Sequence, residues 1–149
     1  MVSYQLWKTL HVISAVLIVG NVTVTGVWSW YLFRRFQEGE MPFRPIARAI
    51  LWTDLIFTAG GGALLTVSGV TMALKSGLPF LETPWLFKGI LALGSSTLVW
   101  LVILLPDQIR LEKADDPEVI RRIYLRWTVI GWVVTLVLFW GLWAMATRR

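Results

Sequence analysis

Four long apolar stretches, separated by short polar segments, constrain this chain of 149 residues more than any other feature. They run from about Tyr4 to Phe33, Ile46 to Leu74, Trp85 to Leu105 and Ile123 to Ala146. A helix that spans a bilayer needs about 20 mainly apolar residues, and inside lipid every backbone polar group must be paired within the protein. The pattern therefore predicts an all-α protein, an integral membrane four-helix bundle in which residues 1–149 form a single transmembrane domain.

The polar segments between these stretches each contain two prolines, which are Pro42 and Pro45, Pro79 and Pro84, and Pro106 and Pro117. Proline lacks a backbone N–H donor and clashes with the preceding helical turn. We therefore expect the spanning helices to end at these segments. No soluble domain is left over between them.

The composition agrees with a membrane protein and argues against nucleic-acid binding. Apolar residues make up 56% of the chain and charged residues 15%, whereas soluble domains have about 45–50% and about 25%. The net charge is +5, but the basic residues lie at the ends of apolar runs, where lipid headgroups favour them. No basic stripe interleaved with aromatic residues is present, so we expect no nucleic-acid partner. The expected partners are the lipid bilayer and other membrane subunits or further copies of this chain.

The distribution of basic residues predicts an orientation. The first and third loops and their flanks carry nine of the fourteen, which are Arg34, Arg35, Arg44, Arg48, Arg110, Lys113, Arg121, Arg122 and Arg126. The other side carries five, which are Lys8, Lys75, Lys88, Arg148 and Arg149. Because basic residues concentrate on the cytoplasmic side, both termini are expected outside the cytoplasm.

Polar residues inside the spans fall on defined helix faces. In the first span His11, Ser14, Asn21 and Thr25 share one face at helical spacing. Such a face is expected to meet protein rather than lipid, and hydrogen bonding between helices is one interpretation.

The second span repeats this arrangement with Asp54, Thr58, Gly61, Gly69 and Met72 on one face. Its run of three glycines at positions 60–62 favours close approach of a neighbouring helix.

Charged residues at mid-depth need partners. Asp54 and Arg126 lie at similar depth from the basic side, so an Asp54–Arg126 ion pair is expected to neutralise both. Arg48 is a competing partner for Asp54, and a proton or ion relay through Asp54 is an alternative role.

His11 is the only histidine, and it lies near the N-terminal end of the first span, which is the expected outer end. Met72 and Lys88 are expected at comparable depth, and His with Met is a known axial pair for haem iron. Lys8 and Lys88 could hold an anionic group such as a haem propionate or a lipid phosphate. The alternative is a structural histidine hydrogen-bonded to Ser14 or another neighbour.

The segment LWKTLHVISAVLIVGNV (6–22) resembles the first helix of a superfamily of small bacterial membrane proteins. That superfamily includes the copper resistance D proteins and the four-helix protoporphyrinogen oxidases, and the nearest resemblance is to the domain of unknown function 2269. ILWTDLIFTAGGGALLTVSGV (50–70), QIR (108–110) and LRWTVIGWVVTLVLFWGLWA (125–144) are similar to its later segments.

The resemblance implies haem b bound through His11, with Lys8 matching the family's preceding lysine. It also raises copper handling as a rival, which one histidine, no cysteine and four methionines support poorly. Two functional classes follow from the sequence. One is a haem-b protein near the outer membrane face that transfers electrons or handles a porphyrin. The other is a non-catalytic accessory subunit of a larger respiratory or photosynthetic complex. No catalytic residue is predicted.

Overall fold

The computed structural model, which describes residues 3–148, contains four long helices. A helix suits these apolar stretches because it pairs the backbone N–H and C=O groups within one segment. The four helices are α1 (Tyr4–Gln37), α2 (Arg44–Lys75), α3 (Pro84–Lys113) and α4 (Pro117–Thr147). No strand occurs within residues 3–148, and each of the four helices is long and apolar enough to cross a membrane. The predicted all-α four-helix membrane bundle is confirmed.

The helices are longer than the apolar stretches because their polar flanks continue the helical hydrogen bonding. Ser3 caps α1 by accepting from the Gln5 N–H at 3.2 Å, and Asp116 caps α4 by accepting from the Glu118 N–H at 2.9 Å. Pro84 and Pro117 occupy first helical positions, where the missing N–H costs nothing.

The expectation that α3 would end at Pro106 is corrected, because α3 continues through this proline to Lys113. The turns just before it, Trp100–Leu104, are wide π-helical turns, in which hydrogen bonds run to the fifth residue. This widening accommodates the proline ring and the missing donor. A second π-helical stretch, Asp54–Ala59, interrupts α2.

The bundle has two ends with different character. We call the part nearest loops 38–43 and 114–116 the arginine-rich half, and the part nearest the described termini and loop 76–83 the terminal half. In the arginine-rich half α1 packs on α4, and the start of α2 packs on the end of α3. In the terminal half α1 packs on α2 and α3 on α4, as two antiparallel hairpins.

Glycines bring the helices of each hairpin close together. A Cβ on Gly61 of α2 would lie 3.0 Å from the Ile18 side chain of α1. A Cβ on Gly141 of α4 would lie 2.5 Å from the Ala92 Cβ of α3. Since carbon atoms do not approach to these distances, the two contacts exist only because the side chains are missing.

Aromatic packing closes the arginine-rich half. Tyr124 is completely buried, and its ring stacks on Phe33 with centroids 4.1 Å apart. Phe43 meets both rings edge-on, at 5.9 Å and 5.6 Å. The Tyr124 hydroxyl hydrogen-bonds to the Ser29 hydroxyl at 3.0 Å, which satisfies both buried groups.

Candidate functional site

A buried carboxylate, Asp54, ties three of the four helices together where the two halves meet. It is 5% exposed. Its Oδ1 accepts from the Asn21 amide at 2.7 Å and from the Thr58 hydroxyl at 3.2 Å. Its Oδ2 accepts from the Trp100 indole at 3.4 Å and from the Gln108 amide. A carboxylate offers about four acceptor sites, so these neutral donors use its full capacity.

The two π-helical stretches supply much of this arrangement. Asp54 and Thr58 belong to the wide turns of α2, and Trp100 begins the wide turns of α3. Wide turns displace side chains from their ordinary helical positions, and they occur frequently at functional sites.

The predicted Asp54–Arg126 ion pair is corrected. Arg126 instead pairs with Asp107, with its Nε 3.0 Å from Oδ2 and a second bond from Nη2 to Oδ1. Arg48, the competing candidate, pairs with Glu112 at 3.0 Å. The physical reason is the continuation of α3 past Pro106, because it brings Asp107 and Glu112 within reach of arginines on α4 and α2.

A cavity of about 440 Å³ lies between the two hairpins, on the terminal side of Asp54. All four helices contribute to its wall, for example through Ile18, Ala63, Leu93 and Gly131. The cavity exists because the terminal segments of α2 and α3 do not pack against one another, whereas each is packed on its hairpin partner. The volume falls within the range of small-molecule sites, about 300–1,000 Å³.

The cavity wall is mostly apolar, but three of its residues, Ser96, Trp127 and Thr128, carry a buried polar atom without a partner. Ser96 and Trp127 are 5% and 7% exposed. None of the three atoms has a hydrogen-bond partner among residues 3–148. An unpaired buried donor costs about 1–3 kcal/mol, so a molecule that accepted hydrogen bonds from these groups would be stabilised there.

The cavity is open toward the bilayer at the seam between α2 and α3. Val67 of α2 lines it and is 53% exposed, and Ala63 and Thr97 are wall residues that are also exposed. These exposed wall residues connect the cavity to the surface of the bundle at this seam.

His11 lies elsewhere, at the α1–α2 contact in the terminal half. Its Nδ1 is 3.1 Å from the Leu65 carbonyl oxygen and 3.2 Å from the Ser68 hydroxyl oxygen. A carbonyl only accepts, so Nδ1 carries the proton and Nε2 keeps its lone pair. The ring fits against α2 because residue 69 is glycine, where a Cβ would come within 2.9 Å of it.

Of the residues predicted to surround His11, two lie one helical turn from the imidazole or from its contact residue Gly69, and the third lies on another helix. Met72 follows Gly69 by one turn on α2, the helix that already contacts the imidazole. Lys88 lies on α3, whose terminal segment packs on α4 rather than on α1 or α2. Lys8 is one turn before His11 on α1 and is exposed.

The polar stripe on α1 is directed toward protein, as the sequence indicates. Ser14 and Thr25 are buried, and Asn21 forms the expected bond to another helix, at Asp54. Sequence reasoning missed Gln108, Ser96 and Trp127. Gln108 was placed in a loop after Pro106, and serine and tryptophan are so common in membrane helices that neither stands out.

Four membrane-spanning helices around a cavity that opens to the bilayer define an integral membrane protein. The chain belongs to the family described as "Predicted integral membrane protein (DUF2269)", whose model matches residues 5–149. No curated protein and no solved structure matches the chain.

Proposed function

We propose that this protein binds a lipid-soluble ligand in the cavity between its hairpins. The observation that carries the proposal is the set of unpartnered, buried donors on three residues of the cavity wall, which are Ser96, Trp127 and Thr128. Water is a poor occupant, because a stable buried water needs two to four polar partners and these walls are mainly apolar.

Two glycines keep the cavity open. Gly62 of α2 and Gly131 of α4 line it, and a Cβ at either position would meet no described atom within 4 Å. Neither glycine is explained by a close helix contact, in contrast to Gly61 and Gly141. A leucine at Gly131 would therefore fill the space of the ligand without forcing the helices apart.

Photolabelling tests this proposal. A long-chain alkyl diazirine, incorporated into nanodiscs with the protein, is expected to label the buried walls at Ser96 and Trp127 as well as lipid-facing residues. Gly131→Leu is expected to remove the wall labelling. Gly94→Leu is the matched control, because Gly94 also has open space around it but does not line the cavity. Labelling restricted to lipid-facing positions in every variant would contradict the proposal.

A second candidate function is haem b binding through His11, with electron transfer or porphyrin handling near the outer face. The favouring observation is the Nδ1–H bond to the Leu65 carbonyl, because histidines that bind metals commonly donate their other ring N–H in this way. Nε2 has no hydrogen-bond partner within residues 3–148, so it would be available to bind the haem iron. Lys8, one turn before His11 on α1, would contact a propionate. Bound haem would supply one-electron chemistry.

Met72 and Lys88 stay predictions as further contacts of a haem group. The proposal itself depends only on His11 as a ligand of the iron, so loss of the Met72 thioether would leave the haem bound.

The visible spectrum of purified protein supplied with haemin tests this candidate. A Soret band that disappears in His11→Ala and persists in Met72→Leu is expected. A band of equal intensity in His11→Ala, or a protein that takes up no haemin, contradicts it. A colourless protein that co-purifies with a large complex would instead favour the accessory-subunit role.

We also propose that both termini lie outside the cytoplasm of a bacterial inner membrane. The support is the excess of basic residues at the arginine-rich end, where six of them pair with carboxylates, which are Arg35, Arg44, Arg48, Arg110, Arg121 and Arg126. The chain has no cysteine, so single cysteines can report the topology. In spheroplasts, Ser76→Cys is expected to react with an impermeant maleimide and Glu38→Cys is not; the reverse pattern would invert the orientation.

A further inference from the structure

The unpartnered groups of the cavity wall define what the ligand must offer, and Trp127 and Ser96 are the most deeply buried of them. An indole N–H can only donate a hydrogen bond, so Trp127 requires an acceptor on the ligand. The Ser96 hydroxyl can donate as well. We propose, resting on the proposed function, that the ligand is a lipid-soluble ring compound with carbonyl acceptors, of the quinone class.

The electrostatics of the cavity favour a neutral ligand. None of its wall residues is lysine, arginine or histidine, so an anionic headgroup would find no cation there. Asp54 is the one acidic wall residue, and its oxygens already accept from Asn21, Thr58, Trp100 and Gln108. A cationic ligand would therefore have to displace one of these donors. Charged ligands are also costly to hold at this depth.

The shape of the wall favours a flat ring. Three tryptophans line the cavity, Trp100 from α3 and Trp127 and Trp132 from α4. The Trp100 ring is fixed by its N–H bond to Asp54, at 3.4 Å. Trp132 packs on α1 where residue 26 is glycine, and a Cβ there would lie 3.0 Å from the indole. Fixed indole faces are suited to stacking with a planar ring.

This chemistry gives the Asp54 network a positioning role for the ligand. Asn21, Thr58 and Gln108 hold the Asp54 carboxylate by donating hydrogen bonds to it. The carboxylate in turn orients the Trp100 ring, which forms the cavity wall beside the ligand, by accepting its indole N–H. Asp54 itself is not proposed to contact the carbonyls, since its acceptor sites repel another acceptor and its donors are already used.

Binding of two matched probes in nanodiscs tests this inference. The first is a decyl-substituted benzoquinone, measured by saturable quenching of tryptophan fluorescence. The second is decylbenzene, which lacks the carbonyls and is measured by competition with the quinone. We expect the quinone to bind at least about tenfold more tightly than decylbenzene, as expected for one or two hydrogen bonds to buried donors.

Two variants each remove one hydrogen-bond donor of the cavity wall. Ser96→Ala deletes only the hydroxyl, and Trp127→Phe deletes the N–H while keeping an aromatic ring. Each is expected to weaken quinone binding about fivefold to tenfold and to leave decylbenzene unchanged. Because Trp127 also packs in the aromatic core, Ser96→Ala is the decisive variant if Trp127→Phe folds poorly.

The outcomes separate the inference from the function on which it rests. Equal binding of both probes, unaffected by Ser96→Ala but abolished by Gly131→Leu, would keep the cavity as a ligand site and overturn the carbonyl ligand. Absence of saturable binding by either probe, in wild type and Gly131→Leu alike, would overturn both proposals.

Discussion

The arginine-rich half and the terminal half of this bundle are built from the same kinds of helix, yet one is closely packed and the other is open. In the arginine-rich half, Phe33, Phe43 and Tyr124 fill the space between helices from both hairpins. In the terminal half, glycines bring together the helices of each hairpin, whereas the terminal segments of α2 and α3 do not pack against one another.

The difference shows how a small membrane protein can hold a cavity without losing its fold. Lipid provides little hydrophobic drive for helix association, so packing and hydrogen bonds decide which helices touch. The aromatic cluster and the Asp54 network join the hairpins at one end. The other end is then free to diverge around a ligand site.

The largest expected effect is a loss in the free energy of unfolding, and it should differ between two leucines of α3. Leu111 is 1% exposed in the arginine-rich half, whereas Leu93 forms part of the cavity wall. We expect Leu111→Ala to lower the free energy of unfolding in mixed micelles by about 3 kcal/mol, and Leu93→Ala by about 1 kcal/mol, because a wall residue has fewer contacts to lose. Equal losses at both positions would mean that the terminal half is packed as closely as the other.

The next effect tests the junction between the halves. Asp54→Ala leaves the Asn21, Thr58, Trp100 and Gln108 donors without their acceptor, so we expect a loss of about 2–3 kcal/mol in the free energy of unfolding.

A double-mutant cycle identifies the partners of Arg126. Asp54→Ala and Arg126→Gln are expected to add within about 0.5 kcal/mol, whereas Asp107→Asn and Arg126→Gln are expected to couple. Coupling of Arg126 to Asp54 instead would restore the ion pair that the sequence suggested.

A smaller effect on stability is expected when a glycine in a close helix contact is compared with a glycine that faces open space. Gly141→Ala places a methyl group against Ala92, and we expect a loss of about 1–3 kcal/mol as α3 and α4 are forced apart. Gly131→Ala on the same helix faces open space, and we expect it to be neutral or stabilising by up to about 1 kcal/mol. Similar losses in the two variants would show that the cavity wall is not open at Gly131.

The sequence contains enough information for the class and the four spans, because apolar length and lipid chemistry leave few alternatives. It also places Asn21 and Asp54 on protein-facing surfaces, and the structure joins them. It could not locate the partners of Asp54 and Arg126, since a proline normally ends a helix and α3 instead passes Pro106 through wide turns. That local exception moves Asp107 and Gln108 from an expected loop into the bundle.

No sequence pattern predicts the cavity. Its walls depend on which helix pairs touch and which do not, and a glycine in a tight contact looks the same in the sequence as a glycine beside open space. Gly131 and Gly141 illustrate this, being ten residues apart on α4 with opposite surroundings.

Native mass spectrometry of the protein released from its own membranes tests the central claim most directly. The account predicts that wild type and Gly94→Leu each retain one lipid-soluble molecule in addition to loosely bound phospholipid, and that Gly131→Leu retains none. The same bound mass in all three proteins, or none in any of them, would contradict a ligand site between the hairpins.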